Sequence, residues 1–154
     1  MNTPSRTPIH ANSRPPPALR MLVGYDGSDA SYRAVQFALG IARRGGAAIW
    51  LVHAAQPPAL VMEPRTDEEQ ASEVDAIGEV LRDLQEEATR EGVTLTAWSR
   101  GGSPITVLLA AADEIKADWI VVGTRGLRGA ARTLLGSVSA ALLDRSGRPV
   151  TVVP

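Results

Sequence analysis

The chain has no cysteine, so neither a disulfide framework nor a thiolate metal site is available to it. Its two histidines, His10 and His53, are far apart and do not read as a ligand pair. Lys116 is the only lysine, the other basic residues being arginines, and the formal net charge is −1. A nucleic-acid partner calls for a basic face, which that balance does not suggest. Aromatic residues make up 4% of the chain, and Trp50, Trp98 and Trp119 are not spaced as a base-stacking platform. They read as core or interface packing. No apolar run approaches the roughly 18 residues that span a bilayer. Residues 1–17 lack the apolar stretch of a secretory signal. Together these absences argue against nucleic-acid and membrane partners and make the cytoplasm the default compartment.

What is present fits one domain, since 154 residues suffice for a genuine core. Residues 1–18 are rich in Pro, Ser, Thr and Asn and end around Pro15-Pro16-Pro17, a composition that cannot bury enough surface to order itself. They are expected to be a disordered leader, with a docking role as the other reading, and the folded domain is expected over 19–154. From Leu19 onward, short apolar runs alternate with amphipathic stretches. Strands are expected at 20–25, 47–54, 93–99, 118–122 and 149–153. Between them, Ser28 can cap a helix that Gly45-Gly46 ends. Thr66 and Glu69 form a possible capping box for a helix with Val74, Ile77, Leu81, Leu84 and Ala88 as its core stripe. Ser103 and Pro104 open a helix directing Ile105, Leu108, Ala112 and Ile115 inward, and a last helix spans about 136–146. Five strands alternating with four helices imply an α/β fold, a doubly wound, Rossmann-like parallel sheet of order 3-2-1-4-5. Ligands in such sheets sit outside the carboxyl ends of the strands at the switch point, between strands one and four.

The glycines after the fourth strand read Gly123-Thr124-Arg125-Gly126, then nine residues, then Gly136-Ser137. Gly123 is expected to leave the strand with an unusual backbone angle, and Gly126 to let the backbone approach a ligand. Gly136-Ser137 opens a helix whose free N–H groups and positive dipole end suit phosphate, with Ser137 and Ser139 adding hydroxyl donors. Each residue has a plainer reading too. Asp26 is a turn residue or a ligand contact, Ser137 a helix cap or a phosphate ligand, and His53 a satisfied, semi-buried histidine. Arg125, Arg128 and Arg132 form a solvated face or a phosphate clamp.

The pattern G-x2-G-x9-G-[ST] resembles the nucleotide-binding motif of ATP-binding universal stress proteins. The resemblance includes Val23-Gly24-Tyr25-Asp26-Gly27-Ser28, Leu51-Val52-His53-Ala54, Asp118 to Gly123 and the closing Arg148 to Val153. It implies that Gly24, Tyr25 and Asp26 line a nucleoside, with Asp26 facing the ribose or a divalent ion such as Mg2+. Ala54 would lie against adenine through its backbone, and Val122 and Gly123 would complete the base and ribose wall. Gly126, Gly136, Ser137, Val138 and Ser139 would hold the phosphates of ATP, or of cyclic AMP as the alternative. It also implies a homodimer through strand 149–153. The absence of a P-loop lysine disfavours P-loop phosphoryl transfer. A nucleotide-dependent regulatory switch is therefore the leading expectation. A slow ATPase or self-phosphorylating protein is the alternative, and the protein partner is unspecified.

Overall fold

The computed structural model describes residues 19–55, 67–124 and 136–154. Along the chain run β1 (Arg20–Tyr25), α1 (Asp29–Gly45), β2 (Ala48–Ala55), α2 (Asp67–Arg90), β3 (Leu95–Gly101), α3 (Pro104–Glu114), β4 (Trp119–Gly123), α4 (Ser137–Arg145) and β5 (Val150–Val153). The sheet has the expected order, β3-β2-β1-β4-β5, and every pairing is parallel.

The central strands are apolar on both faces because helices cover both. Met21, Val23 and Tyr25 of β1 point into one cluster with Ala34, Val35, Ala38 and Leu39 of α1 and Leu81, Leu84 and Ala88 of α2. Leu22 points the other way, into a cluster with Leu108, Ala111 and Ala112 of α3 and Leu142 of α4. Burial of each such large side chain contributes roughly 1.5–3 kcal/mol. Helix α1 starts where Ser28 accepts from the Ser31 N–H, and stops where Gly46, at φ 69°, returns its N–H to the Ala42 carbonyl.

Element ends shift by a residue or two from the sequence pattern, and two differences have a clear physical reason. Strand β3 begins at Leu95 rather than at 93, because Val93 still belongs to the end of α2: its N–H bonds the Ala88 carbonyl at 2.8 Å, past Gly92 at φ 72°. In α3 the buried stripe is Val107, Leu108, Ala111 and Ala112, whereas Ile105 in the first turn is only half-buried. Thr66 of the possible capping box lies outside the described residues.

The amino end of the sheet is closed by arginines. Arg20 donates to the Ile115 carbonyl (3.0 Å), and Arg148 to the Ala117 carbonyl (2.9 Å) and to Asp113 (2.7 Å).

Candidate functional site

Strands β1 and β4 are sheet neighbours, in register at Val23 and Val121. From their ends the chain turns into α1 and toward α4, which makes this the switch point. The start of α1 is a closed set of hydrogen bonds. Asp26 Oδ1 accepts from the Ser28 N–H (3.0 Å) and hydroxyl (2.6 Å). The Asp26 N–H donates to Ser31 Oγ (3.3 Å), and Ser31 Oγ donates to the Ser28 carbonyl (2.9 Å). The carboxylate of Asp26 is exposed, and no partner is recorded for its second oxygen among the described residues. Behind it, burial pushes the Tyr25 phenol above its ordinary pKa of 10.0, with the charges of Asp26 and Tyr32 adding to the shift.

Next to β1, strand β2 runs further. The two are in register up to Tyr25 and His53, while β2 continues with β3 to Ala55 and Gly101. The Ala48 N–H bonds Leu19 on the β1 side, and the Ala55 carbonyl is taken by Gly102 on the β3 side. Backbone groups alternate sides along a strand, so the Ala54 carbonyl faces β1's side just beyond the end of that strand. No N–H among the described residues donates to it. It is an acceptor aimed into the crevice.

On the other side of β1, the chain after β4 is clamped at its base. The Thr124 N–H donates to the Val153 carbonyl (2.8 Å), and the Thr124 carbonyl accepts from Gly136 (2.7 Å). Gly123 lies against the start of α1, where a Cβ would come within 2.7 Å of the Ala30 carbonyl carbon and the Ser31 nitrogen. Its φ is not in the left-handed range. The expected reason for this glycine, an unusual backbone angle, is thus corrected: the close approach of helix to strand requires it.

Three of the helices that start at this edge have described caps, and these are unequal. Ser28 caps α1 and Ser103 caps α3, but Gly136 gives α4 no side-chain cap. The N–H groups of Ser137, Val138 and Ser139 have no partner among the described residues. Of the three, α4 is the one whose dipole end and N–H groups are left for an anion.

The Universal stress protein family profile matches residues 18–154. The chain belongs to the universal stress protein family. It is 37% identical over 139 residues to universal stress protein Rv1636 of Mycobacterium tuberculosis, covering 86% of this chain and 94% of that one. Among solved structures, a universal stress protein in complex with cAMP is 33% identical, with TM-score 0.67, covering 88% of this chain and 97% of that one. UspA from Lactobacillus plantarum, at 23% identity and TM-score 0.76 over 88% of this chain and 97% of that one, shares the fold.

Within this universal stress protein the expected site residues are distributed as follows. Gly24, Tyr25, Asp26, Ala54, Val122, Gly123, Gly136, Ser137, Val138 and Ser139 all fall at the carboxyl ends of the strands or the start of α4. Gly126, Arg125, Arg128 and Arg132 lie outside the described residues. Not all of the ten present a side chain. Val122 is buried against the position of a Gly24 Cβ (3.0 Å), so both serve the core beneath the site. The Ser139 hydroxyl, expected to face a ligand, is turned inward: it is 2% exposed and donates to the Gly136 carbonyl (2.9 Å). What Ser139 offers at the helix start is its N–H. His53 Nδ1 is 3.2 Å from Ser99 Oγ on the adjoining strand, as expected of a satisfied histidine.

The sequence reading missed Ser31 and Thr124. Ser31 sits three residues after Ser28, the spacing of a reciprocal cap, and that signal was available. Among the described residues Thr124 acts through its backbone, which leaves no compositional signal.

Proposed function

We propose that this chain binds an adenine nucleotide, with ATP as the ligand, and acts as a nucleotide-dependent regulatory switch in the cytoplasm rather than as an efficient enzyme. The observation that carries this reading is the uncapped start of α4, clamped to the end of β4 at the switch point of a universal stress protein fold. The Ala54 carbonyl would accept from the adenine amino group. The second oxygen of Asp26 would meet the ribose or a divalent ion. The N–H groups of Ser137, Val138 and Ser139, with Gly126, would hold the phosphates. Among the described residues no group of three His, Cys, Asp or Glu could hold a metal by itself. A Mg2+ ion would therefore be shared between Asp26 and the phosphates, as this ion prefers, and would neutralise phosphate charge. Residues 1–18 would take no part, and turnover would be slow, since no general base is positioned among the described residues.

Cyclic AMP is the second reading, favoured by the relative at 33% identity whose structure is a cAMP complex. Calorimetric titration with ATP, with and without magnesium and with cyclic AMP as competitor, separates the two. Micromolar ATP binding that is lost in Gly126→Leu supports the ATP switch. Binding of cyclic AMP but not ATP moves the function to cyclic-nucleotide sensing. Binding of neither overturns the nucleotide reading.

The switch needs an output, and β5 supplies a candidate. Pro149 and Val153 direct their carbonyls to Ile120 and Thr124 of the β4 side. By alternation Val150 and Val152 direct their N–H and C=O groups outward, on an open edge. Antiparallel pairing with a second copy, centred on Thr151, would match Val150 of each chain with Val152 of the other through about four backbone hydrogen bonds.

A further inference from the structure

We infer that β5 is a two-state element shared by the ligand site and the dimer edge, so that nucleotide binding and edge pairing strengthen one another. This rests on both parts of the proposed function and adds the physical link between them. Strand β5 has only four residues and is hydrogen-bonded to the sheet on one side. A short, one-sided edge strand frays at a low local free energy. The carbonyl of its last residue, Val153, and that of Pro154 just after it are the acceptors that organise the site. Val153 receives the Thr124 N–H (2.8 Å), and Thr124 in turn receives the N–H of Gly136, the residue that begins α4 (2.7 Å). Pro154 receives Arg33 Nε of α1 (2.6 Å). Two residues before Arg33, Ser31 holds the Asp26 N–H. The ends of the proposed site, the start of α4 and the Asp26 turn, are thus both tied to the end of one strand and the residue that follows it. When β5 is seated, both ties are made. When its end lifts, Thr124 and Arg33 lose their acceptors and the start of α4 loses its fixed position.

A second copy on the outer edge favours the seated state, and so does a nucleotide that needs the start of α4 in place. Two ligands that favour the same state of one element are coupled, and the coupling is reciprocal. Nucleotide affinity therefore depends on protein concentration.

The test uses the full chain. ATP affinity is measured while wild-type protein is diluted through its dimer dissociation, and again in Val152→Pro. Because the Val152 N–H faces outward, proline there removes an edge donor without breaking the ladder to β4. The expected result is that ATP binding weakens by about tenfold on dilution, and that Val152→Pro is monomeric with the affinity of the dilute wild type. Amide exchange at Thr124 and Gly136 is expected to be faster in Val152→Pro than in the dimer, and to slow when ATP is added. Affinity unchanged both on dilution and in Val152→Pro overturns the coupling while leaving ATP site and dimer intact. A wild type that binds ATP but stays monomeric at every concentration overturns the coupling and the edge pairing. A concentrated wild type that binds no ATP overturns the ATP reading, and the coupling with it. Should Val152→Pro fail to fold, the dilution series alone decides.

Discussion

A hydrogen atom is all that Gly123 can afford to place toward α1. A methyl there would meet backbone, the Ala30 carbonyl carbon and the Ser31 nitrogen at 2.7 Å, and backbone cannot rotate away. At Gly24 the nearest atom is the side-chain Cγ1 of Val122 at 3.0 Å, which has room to adjust. Overpacking costs about 1–3 kcal/mol. Gly123→Ala is expected at or beyond the top of that range and Gly24→Ala near the bottom, read from denaturant midpoints. Equal midpoints would show that α1 yields as easily as a valine. Tyr25 gives a second prediction at this scale. Its phenol is held above its ordinary pKa of 10.0, mainly by burial. The folded state keeps that proton longer than the unfolded chain does. Tyr25 therefore contributes stability that is fully present below pH 10.0 and is lost as pH rises through the higher folded value. Tyr25→Phe should flatten that alkaline decline in a pH series of thermal midpoints; an unchanged slope would assign the decline to other groups.

Among the elements, α4 is the one whose start the sequence leaves open. Its cap residue, Gly136, has φ −72° and ψ 158°, a conformation open to any residue. Gly136→Asp should therefore cap the helix and complement its dipole, raising stability by a few tenths of a kcal/mol. The same carboxylate would repel phosphate and weaken ATP binding by at least tenfold. Opposite signs in melting and titration are the expected pair, and a drop in both would mean that the helix start cannot accept a side chain. The elements themselves were largely legible in sequence, because a doubly covered parallel sheet leaves near-continuous apolar runs punctuated by glycine, proline and capping serines. Ser28 and Ser103 cap as their positions indicated. What was not legible depends on partners distant in sequence. The need for glycine at position 123 is set by Ala30 and Ser31. The start of β3 was misread because Val93 is claimed by Ala88. The direction of the Ser139 hydroxyl follows from the local cap, which composition does not encode.

At the scale of the whole molecule, the described residues form two apolar clusters, one on each face of the sheet, drawn from Met21 to Val153. Deleting residues 1–17 should leave the thermal midpoint and ATP affinity unchanged; a clear loss in either would show that the leader docks. The sheet's two edge strands are also unlike one another. On β3, Arg100 lies 4.0 Å over the Trp98 ring and pairs with Glu114 of α3, fastening that edge to its helix. On β5, Trp119 of the neighbouring strand donates its indole N–H to Thr151 Oγ1 (3.0 Å) while meeting Phe37 edge-on at 6.3 Å. An indole that gains or loses a hydrogen bond and its packing changes its emission. With Trp50 and Trp98 replaced by phenylalanine, the fluorescence of Trp119 becomes an optical gauge of how firmly the last strand is seated, read in solution without any added label.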